Sequence, residues 1–247
     1  MRYLILTDVH ANFDALEAVL EAAAGIGYDR TLVLGDLVGY GAEPNEVVER
    51  VRALDPAAII RGNHDKVASG LEHADGFNPI AQQAAEWTYQ ALASENRTYL
   101  ATRAAGPILV DSDVEICHGS PGDEDAYITS EVAALRALKQ AERPVCFYGH
   151  THIPVAFCLT ETGFEMITQD DDVEQSLPLT RGVRYLINPG SVGQPRDGDP
   201  RAAFATFERE SRVVTLYRVE YPVERAQQKI IEAGLPRVLA TRLGVGR

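Results

Sequence analysis

Short apolar segments that alternate with helical patterns restrict the fold of this chain most strongly. Three apolar runs long enough for buried strands occupy residues 2–7, 31–35 and 57–61. Between them, residues 13–24 and 44–54 carry apolar side chains at helical spacing, with Asn12 and Pro44 as helix-start signals. This order predicts parallel strands joined by right-handed helical crossovers, and therefore an α/β fold.

The middle of the chain has a different pattern. Residues 66–105 are rich in alanine and carry no strand signal, so we expect two or three helices that form a cap-like insert. Strand patterns return at 113–117 and 144–148, on either side of a predicted helix at about 131–141.

After residue 150 the predicted strands follow one another closely, which favours a mainly antiparallel second sheet. These strands are residues 155–160, 183–187, 202–208 and 212–219. Helical patterns follow at 222–233 and 236–242. Because no linker or repeat divides the chain, the sequence predicts a single domain over residues 1–247.

Charge and composition exclude several functional classes. A formal net charge of -13 argues against a broad basic surface for long nucleic acids. The three cysteines form no CxxC pair and lie in apolar stretches, so we expect buried free thiols in a reducing compartment. The N-terminal apolar run is too short for a signal peptide, and no apolar stretch is long enough to span a membrane. A cytoplasmic protein without a membrane partner is therefore expected.

Polar side chains follow five of the predicted strands at their C-terminal ends. They are Asp8 and His10, Asp36, Asn63 and His64, His118, and His150 and His152. In open α/β sheets ligands bind at this edge, so we expect these side chains to converge there. Any one histidine could be a structural residue, but five of the six in the chain lie at these positions, which favours a shared function.

The chemistry of this set points to metal ions. Mixed carboxylate and imidazole ligands suit Mn, Fe, Co, Ni or Zn better than Ca or Mg. One ion does not need so many ligands, whereas two ions that share a bridging carboxylate would use seven and leave one imidazole over. Paired metal ions promote phosphoryl transfer. In Asp8–Val9–His10 and in His150–Thr151–His152 the ligands alternate, so an extended backbone would direct both to one side.

The motifs DVH, GDLVGYG, GNHD, HGSP and GHTH, in this order between residues 8 and 152, resemble those of the calcineurin-like metallophosphoesterases. The bacterial and archaeal phosphodiesterase-type branch is most similar, and NPGS at 188–191 fits it. The resemblance implies a four-layer α/β/β/α sandwich of two mixed sheets flanked by helices. It also implies one metal ion on Asp8, His10 and His152, a second on Asn63, His118 and His150, and Asp36 as the bridge.

The resemblance implies a phosphodiesterase or phosphatase that hydrolyses small phosphate esters with the help of metal ions. Nucleotides are among the candidate substrates. A hydroxide shared by the two ions would attack phosphorus, and Mn²⁺ is the ion expected in vitro, with Fe, Ni, Co or Zn as alternatives. His64 would stabilise the transition state or protonate the leaving group, oriented by Asp65 or by a backbone carbonyl.

Two departures from relatives leave alternatives open. Protein Ser/Thr phosphatases of the superfamily carry Asp-Arg where this chain has Gly39 and Tyr40. The difference disfavours protein phosphatase activity and symmetric dinucleoside polyphosphate hydrolysis. A non-catalytic scaffold of the same fold is a further alternative, which the presence of His64 and all seven predicted ligands disfavours.

Three weaker signals lie outside this set. Asn12 could contact a substrate phosphate, although a helix N-cap is the favoured interpretation. Arg196 could bind a phosphate oxygen or lie in an exposed loop. The consecutive residues Asp170, Asp171 and Asp172 lack the spacing of a calcium loop and are predicted to form a solvated acidic loop.

Overall fold

The computed structural model describes residues 1–160, 163–169 and 173–247. Among these residues, twelve strands form two six-stranded mixed sheets. Sheet I contains, in spatial order, β3 (Ala58–Ile59), β2 (Arg30–Val33), β1 (Arg2–Leu6), β11 (Ala202–Glu208), β12 (Val213–Val219) and β9 (Glu174–Pro178). Sheet II contains β4 (Ile108–Leu109), β5 (Val114–Ile116), β6 (Val145–Phe147), β10 (Arg184–Asn188), β7 (Val155–Leu159) and β8 (Phe164–Thr168).

Alternating side chains on the strands build a core on each face of sheet I. On β1, Tyr3 and Ile5 pack toward sheet II, whereas Leu4 and Leu6 pack toward the outer helices. The helices on that outer side are α1 (Phe13–Ile26), α2 (Pro44–Ala53), α7 (Val223–Glu232) and α8 (Arg237–Leu243). Helix α6 (Glu131–Gln140) covers the outer face of sheet II. The predicted four-layer α/β/β/α sandwich of two mixed sheets is therefore confirmed.

The alanine-rich segment is helical, as predicted. It contains α3 (Asn63–Ser69), a short 3-10 turn at Ala74–Gly76, α4 (Pro79–Ala91) and α5 (Ser94–Ala101). Asn78 caps α4 by accepting hydrogen bonds from the backbone N–H groups of Ile80 and Ala81. The single domain and the cap-like nature of this insert stay predictions.

The predicted division of the chain into an early parallel sheet and a late antiparallel sheet is wrong. Strand β11 pairs antiparallel with β1, with Ile5 opposite Ala205, so the late strands β11 and β12 complete sheet I. Conversely, the early strands β5 and β6 belong to sheet II, where β10 runs parallel to β6. Apolar patterning reports that a strand is buried, but it does not report which sheet the strand joins.

Three further features bear on the predictions. Cys117, Cys146 and Cys158 are buried free thiols, as expected. Within the residues that the structure describes, no helix combines the length and the apolar character needed to cross a bilayer. The predicted acidic loop at 170–172 lies outside the described residues.

Candidate metal centre

The predicted site residues converge where the C-terminal ends of strands from both sheets meet. Asp8, Asp36 and Asn63 follow β1, β2 and β3 of sheet I. His118 and His150 follow β5 and β6 of sheet II. The prediction of a single sheet edge is therefore wrong, because the two sheets each contribute part of the cluster.

The first group of potential ligands joins four buried side chains whose ligand atoms lie within 4.8 Å of one another: Asp8, His10, Asp36 and His152. His152 Nε2 lies 3.3 Å from Asp8 Oδ1, and His10 Nε2 lies 3.6 Å from Asp36 Oδ2. The Nε2 atoms of His10 and His152 are 3.1 Å apart, so both imidazoles point into the same small volume.

The second group contains Asp36, His118 and His150, again within 4.8 Å. His118 Nε2 lies 3.4 Å from Asp36 Oδ2, the oxygen that also faces His10. Asn63 joins this group, because its Oδ1 lies 3.3 Å from His118 Nε2. Asp36 is thus common to both groups.

Backbone carbonyls orient the imidazoles. Nδ1 of His10 bonds to the Val38 carbonyl at 3.0 Å, and Nδ1 of His118 bonds to the Leu34 carbonyl at 2.8 Å. Nδ1 of His152 bonds to the carbonyl of Gln194 at 2.6 Å. A proton held on Nδ1 by a carbonyl leaves the Nε2 lone pair free for a metal ion.

His150 has the opposite orientation. Its Nε2 bonds to the carbonyl of Asp125 at 3.1 Å, which leaves Nδ1 as the nitrogen available to a metal ion. Its backbone N–H donates to Asp8 Oδ2 at 3.0 Å, so the loop after β6 in sheet II is tied to the loop after β1 in sheet I.

The backbone at five of the seven potential ligands is left-handed rather than extended. Positive φ angles near 50–67° occur at Asp8, His10, Asp36, His150 and His152. The prediction that an extended chain aligns the alternating ligands is therefore wrong in its geometry, although Val9 does point into the core. Non-glycine residues adopt this conformation rarely, and such strain concentrates at functional sites.

Two glycines permit the close approach of these loops. A Cβ at Gly149 would stand 2.1 Å from Thr7 Oγ1 and 2.7 Å from Asp8 Oδ2. A Cβ at Gly62 would stand 2.2 Å from Asp36 Oδ1. Any larger residue at either position would displace a carboxylate of the cluster.

The NPGS segment is hydrogen-bonded to the loops that carry the potential ligands, a role that the sequence analysis missed. Ser191 Oγ donates to the Asp8 carbonyl at 2.7 Å. Asn188 Nδ2 donates to the Gly149 carbonyl at 2.7 Å and to Thr151 Oγ1 at 2.9 Å. The motif itself was the available signal, because Asn and Ser after a buried strand are suited to bonds with neighbouring loop backbone.

Asp8, His10 and His150 are held in metal-binding protonation states, whereas His118 is held protonated and must release a proton to bind an ion. Burial alone would raise the pKa of Asp8, but the imidazoles of His152 and His118 more than offset it and hold that pKa below its ordinary value. Burial lowers the pKa of His10, and it lowers the pKa of His150 to about 3, so both are neutral near pH 7. For His118, the nearby Asp36 carboxylate outweighs burial and raises the pKa to about 10.

The residues fit divalent transition-metal ions. Carboxylate oxygens, one amide oxygen and imidazole nitrogens converge, and the second ring nitrogen of each histidine is hydrogen-bonded to a backbone carbonyl. This is the outer-sphere arrangement that metal-binding histidines use. The Nε2 atoms of His10 and His152 lie 3.1 Å apart in a buried space beside two carboxylates. Because both rings bond to carbonyls through Nδ1, their Nε2 lone pairs would face each other, and a bound cation would remove this repulsion.

His64 lies beside the cluster rather than in it. Its ring is 5.0 Å from the His10 ring, 4.3 Å from Tyr40 and 4.6 Å from Phe77, measured between centroids. Burial lowers its pKa to about 4, so the imidazole is neutral near pH 7. Nδ1 is buried without a hydrogen-bond partner among the described residues.

The predicted support of His64 by Asp65 is wrong. Both Asp65 oxygens accept backbone hydrogen bonds instead, from Val38 at 3.2 Å and from Gly62 at 3.0 Å. Asp65 therefore fastens the loops after β2 and β3 to each other. Nor does a backbone carbonyl bond to His64 Nδ1 within the described residues.

The two weaker candidates differ in their positions. Asn12 caps α1 by accepting from the Ala15 N–H, and its amide donates to the Gly193 carbonyl and the Tyr221 hydroxyl. Its donors are thus occupied, and the capping interpretation is the one the structure supports. Arg196 is half-buried near the site, with its guanidinium carbon 5.8 Å from the centroid of the Tyr40 ring.

Comparison with known proteins agrees with this geometry. The sequence model of the Calcineurin-like phosphoesterase superfamily domain matches residues 1–212. The chain belongs to this superfamily. The crystal structure of a metallophosphoesterase from Sphaerobacter thermophilus matches with a TM-score of 0.89 and 42% identity over 100% of both chains. The predicted family and enzyme class, a hydrolase of phosphoric esters, are therefore confirmed.

Two curated relatives cover most of the chain. The uncharacterized protein MJ0912 of Methanocaldococcus jannaschii is 34% identical over 98% of this chain and 97% of its own length. Phosphodiesterase YfcE of Escherichia coli K12 is 30% identical over 81% of this chain and 84% of its own length.

Proposed function

We propose that this superfamily member hydrolyses small phosphate diesters or monoesters with two divalent transition-metal ions bound side by side. The observation that carries the proposal is that Asp36 belongs to both groups of potential ligands. A shared carboxylate is the feature that distinguishes a two-ion centre from two separate sites.

The ligand assignment follows from the two groups. The first ion would be held by Asp8, His10, His152 and Asp36, and the second by Asp36, Asn63, His118 and His150. Ions bound there would supply an activated water as nucleophile and would neutralise charge on the phosphate oxygens. Mn²⁺ is the ion we expect to support activity in vitro, with Fe, Co, Ni or Zn as alternatives.

His64 would contact the substrate beside the ions. Because Nδ1 is buried without an acceptor, the proton is more stable on Nε2, and a neutral His64 then presents an N–H donor. Such a donor can stabilise the leaving-group oxygen as its bond to phosphorus breaks. The backbone N–H of His64 donates to Asp36 Oδ1 at 2.9 Å, which fixes the histidine relative to the shared carboxylate.

An open cleft of about 610 Å³ next to the cluster would receive the alcohol portion of the ester. Three aromatic rings line it, those of Tyr40, Phe77 and Tyr127, and the Tyr127 ring stacks on His150 with centroids 3.8 Å apart. Flat groups such as nucleobases or aryl rings suit these walls. Nucleotide-like esters are therefore candidates for the substrate.

The test is hydrolysis of bis-p-nitrophenyl phosphate and p-nitrophenyl phosphate with added Mn²⁺, with and without a chelator. We expect chelator-sensitive turnover and about two bound metal ions per chain by elemental analysis. Asp36→Asn should lower both the metal content and the turnover, because each ion loses a charged ligand. Asp29→Asn, at an exposed aspartate, is the matched control.

Two outcomes would contradict the proposal. Turnover that survives complete removal of metal ions would separate the chemistry from the cluster. Binding of two ions without turnover of any phosphate ester would instead favour the scaffold alternative.

A further inference from the structure

Two arginine side chains lie near the ring of Tyr40 beside the candidate metal centre. The guanidinium carbon of Arg196 lies 5.8 Å from the centroid of the Tyr40 ring, and that of Arg242 lies 6.0 Å from it. The same ring is 4.3 Å from the His64 ring and 4.8 Å from the His10 ring. Both guanidinium groups are therefore within reach of a substrate that is bound at the metal centre.

Neither arginine has an aspartate or glutamate side chain within 4.0 Å among the described residues, although the chain has a net charge of -13. A terminal nitrogen of Arg196 donates to Gln194 Oε1 at 3.1 Å, while its Nε is buried without a partner in the described structure. Arg242 Nε donates to the backbone oxygen of Arg247 at 2.6 Å, and no hydrogen bond from its two terminal nitrogens is found among the described residues. By contrast, Arg218 and Arg225 each pair with an aspartate.

The two positive charges repel each other, and this repulsion costs free energy unless a bound anion compensates for it. Burial and the charge of Arg196 both lower the pKa of Arg242, in agreement with this proximity. A phosphate group between two guanidiniums would remove the repulsion and form bidentate hydrogen bonds.

The cleft is also asymmetric in charge. The walls formed by the helical insert and the loop before α6 carry Glu72, Asp75 and Asp125. The two arginines, from the loop after NPGS and from α8, lie instead near Tyr40, which also lines the cleft. Arg242 lies beyond residues 1–212, which the superfamily model matches. A substrate with one reacting phosphate and one distant anionic group would thus be bound in a single orientation.

We propose that Arg196 and Arg242, which both lie near the Tyr40 ring, form a second anion site that binds a non-reacting phosphate group of the substrate. The inference rests on the proposed function and narrows it to phosphate esters that carry a second phosphate. Both guanidinium groups lie near the aromatic ring of Tyr40, at 5.8 Å and 6.0 Å from its centroid.

The test compares two ligands that differ by one phosphate, adenosine 3′,5′-bisphosphate and adenosine 5′-monophosphate. Their affinities for the Mn²⁺-loaded protein are measured by calorimetry and by competitive inhibition of bis-p-nitrophenyl phosphate hydrolysis. We expect the bisphosphate to bind about 10- to 100-fold more tightly. Arg242→Ala and Arg196→Ala should reduce that ratio toward one, and Arg242→Lys should retain part of it.

Arg237→Ala is the control, because Arg237 is an exposed arginine on the same helix and should leave the ratio unchanged. Equal affinities in the unchanged protein, or an undiminished ratio in both Arg242→Ala and Arg242→Lys, would overturn the inference. If the protein hydrolyses no ester, the proposed function fails, while calorimetry still decides whether the second anion site exists.

Discussion

Gly39 lies so close to His64 that a Cβ at Gly39 would stand 2.4 Å from the imidazole Nδ1. The protein Ser/Thr phosphatases of the superfamily, from which this chain departs here, carry an aspartate at this position, which would support the histidine. Here no carboxylate bonds to Nδ1 among the described residues, and the ring is held by contacts with Tyr40, Phe77 and His10. Packing, rather than a hydrogen bond, therefore orients the imidazole.

Gly39→Ala should lower turnover about 100-fold or more, because the added methyl group displaces the imidazole from its position beside the metal centre. The backbone at Gly39, with φ of +90°, adds strain to any side chain there. Steady-state kinetics and thermal unfolding measure the two effects. Gly25→Ala is the control, because a Cβ at Gly25 meets no atom within 4 Å, and wild-type turnover in Gly39→Ala would contradict the packing argument.

His64→Ala should reduce kcat by about 10²- to 10⁴-fold, the range typical of losing a proton donor or acceptor. Metal content should not change, because His64 belongs to neither group of potential ligands. Kinetics and elemental analysis of the same preparation test both statements. A variant that loses metal ions would show that His64 acts in metal binding rather than in catalysis.

Ser191→Ala should weaken metal binding or activity by about 10- to 100-fold, as is typical of residues that position a ligand. The change removes the hydrogen bond to the Asp8 carbonyl and leaves the left-handed turn at Asp8 less constrained. Titration with Mn²⁺ measures the affinity. Ser176→Ala on β9, where the hydroxyl contacts only Thr215 Oγ1 among the described residues, should behave like the unchanged protein.

Asp14, which belongs to neither group of potential metal ligands, predicts a pH dependence of stability. Burial alone would raise its pKa, but hydrogen bonds from Arg225 and Lys229 outweigh burial and hold the pKa below its ordinary value. A carboxyl group whose pKa is lowered on folding stabilises the protein above its unfolded pKa of about 3.9, and this contribution disappears as the pH falls through the folded value.

Asp14→Asn should therefore lower the free energy of unfolding at pH 7, by about 1–3 kcal/mol for hydrogen bonds to a charged group. The difference from the unchanged protein should shrink as the pH falls below about 4. Urea unfolding at several pH values measures it, with Glu21→Gln on the exposed side of α1 as the control. A difference that is constant from pH 7 to pH 3 would exclude the ion pairs as its source.

Much of the fold was predictable because the strands that build the core are short apolar runs. β1, α1 and α2 were predicted to within two residues at each end. Strands β4, β8 and β9 were missed because they are only two residues long, as at 108–109, or mostly exposed, as at 164–168 and 174–178. Their pairing partners, rather than their own side chains, make them strands.

The site residues were predictable as a set, since each follows a buried strand directly. Their backbone was not, because a left-handed turn at His10 or His152 depends on contacts with segments far away in the sequence, such as the Gln194 carbonyl. Arg242 was also missed, since an arginine in a C-terminal helix has no local pattern that links it to Tyr40.

The pairing of β1 with β11 has a consequence for the order in which the protein can fold during synthesis. Residues 2–5 pair with residues 205–208, so one side of β1 has no hydrogen-bonded neighbour until the ribosome has added about two hundred further amino acids. At about 5–20 residues per second, that takes on the order of 10–40 seconds. During this interval the open edge of β1 can associate with other nascent chains. A chaperone bound near the ribosomal exit would prevent that association.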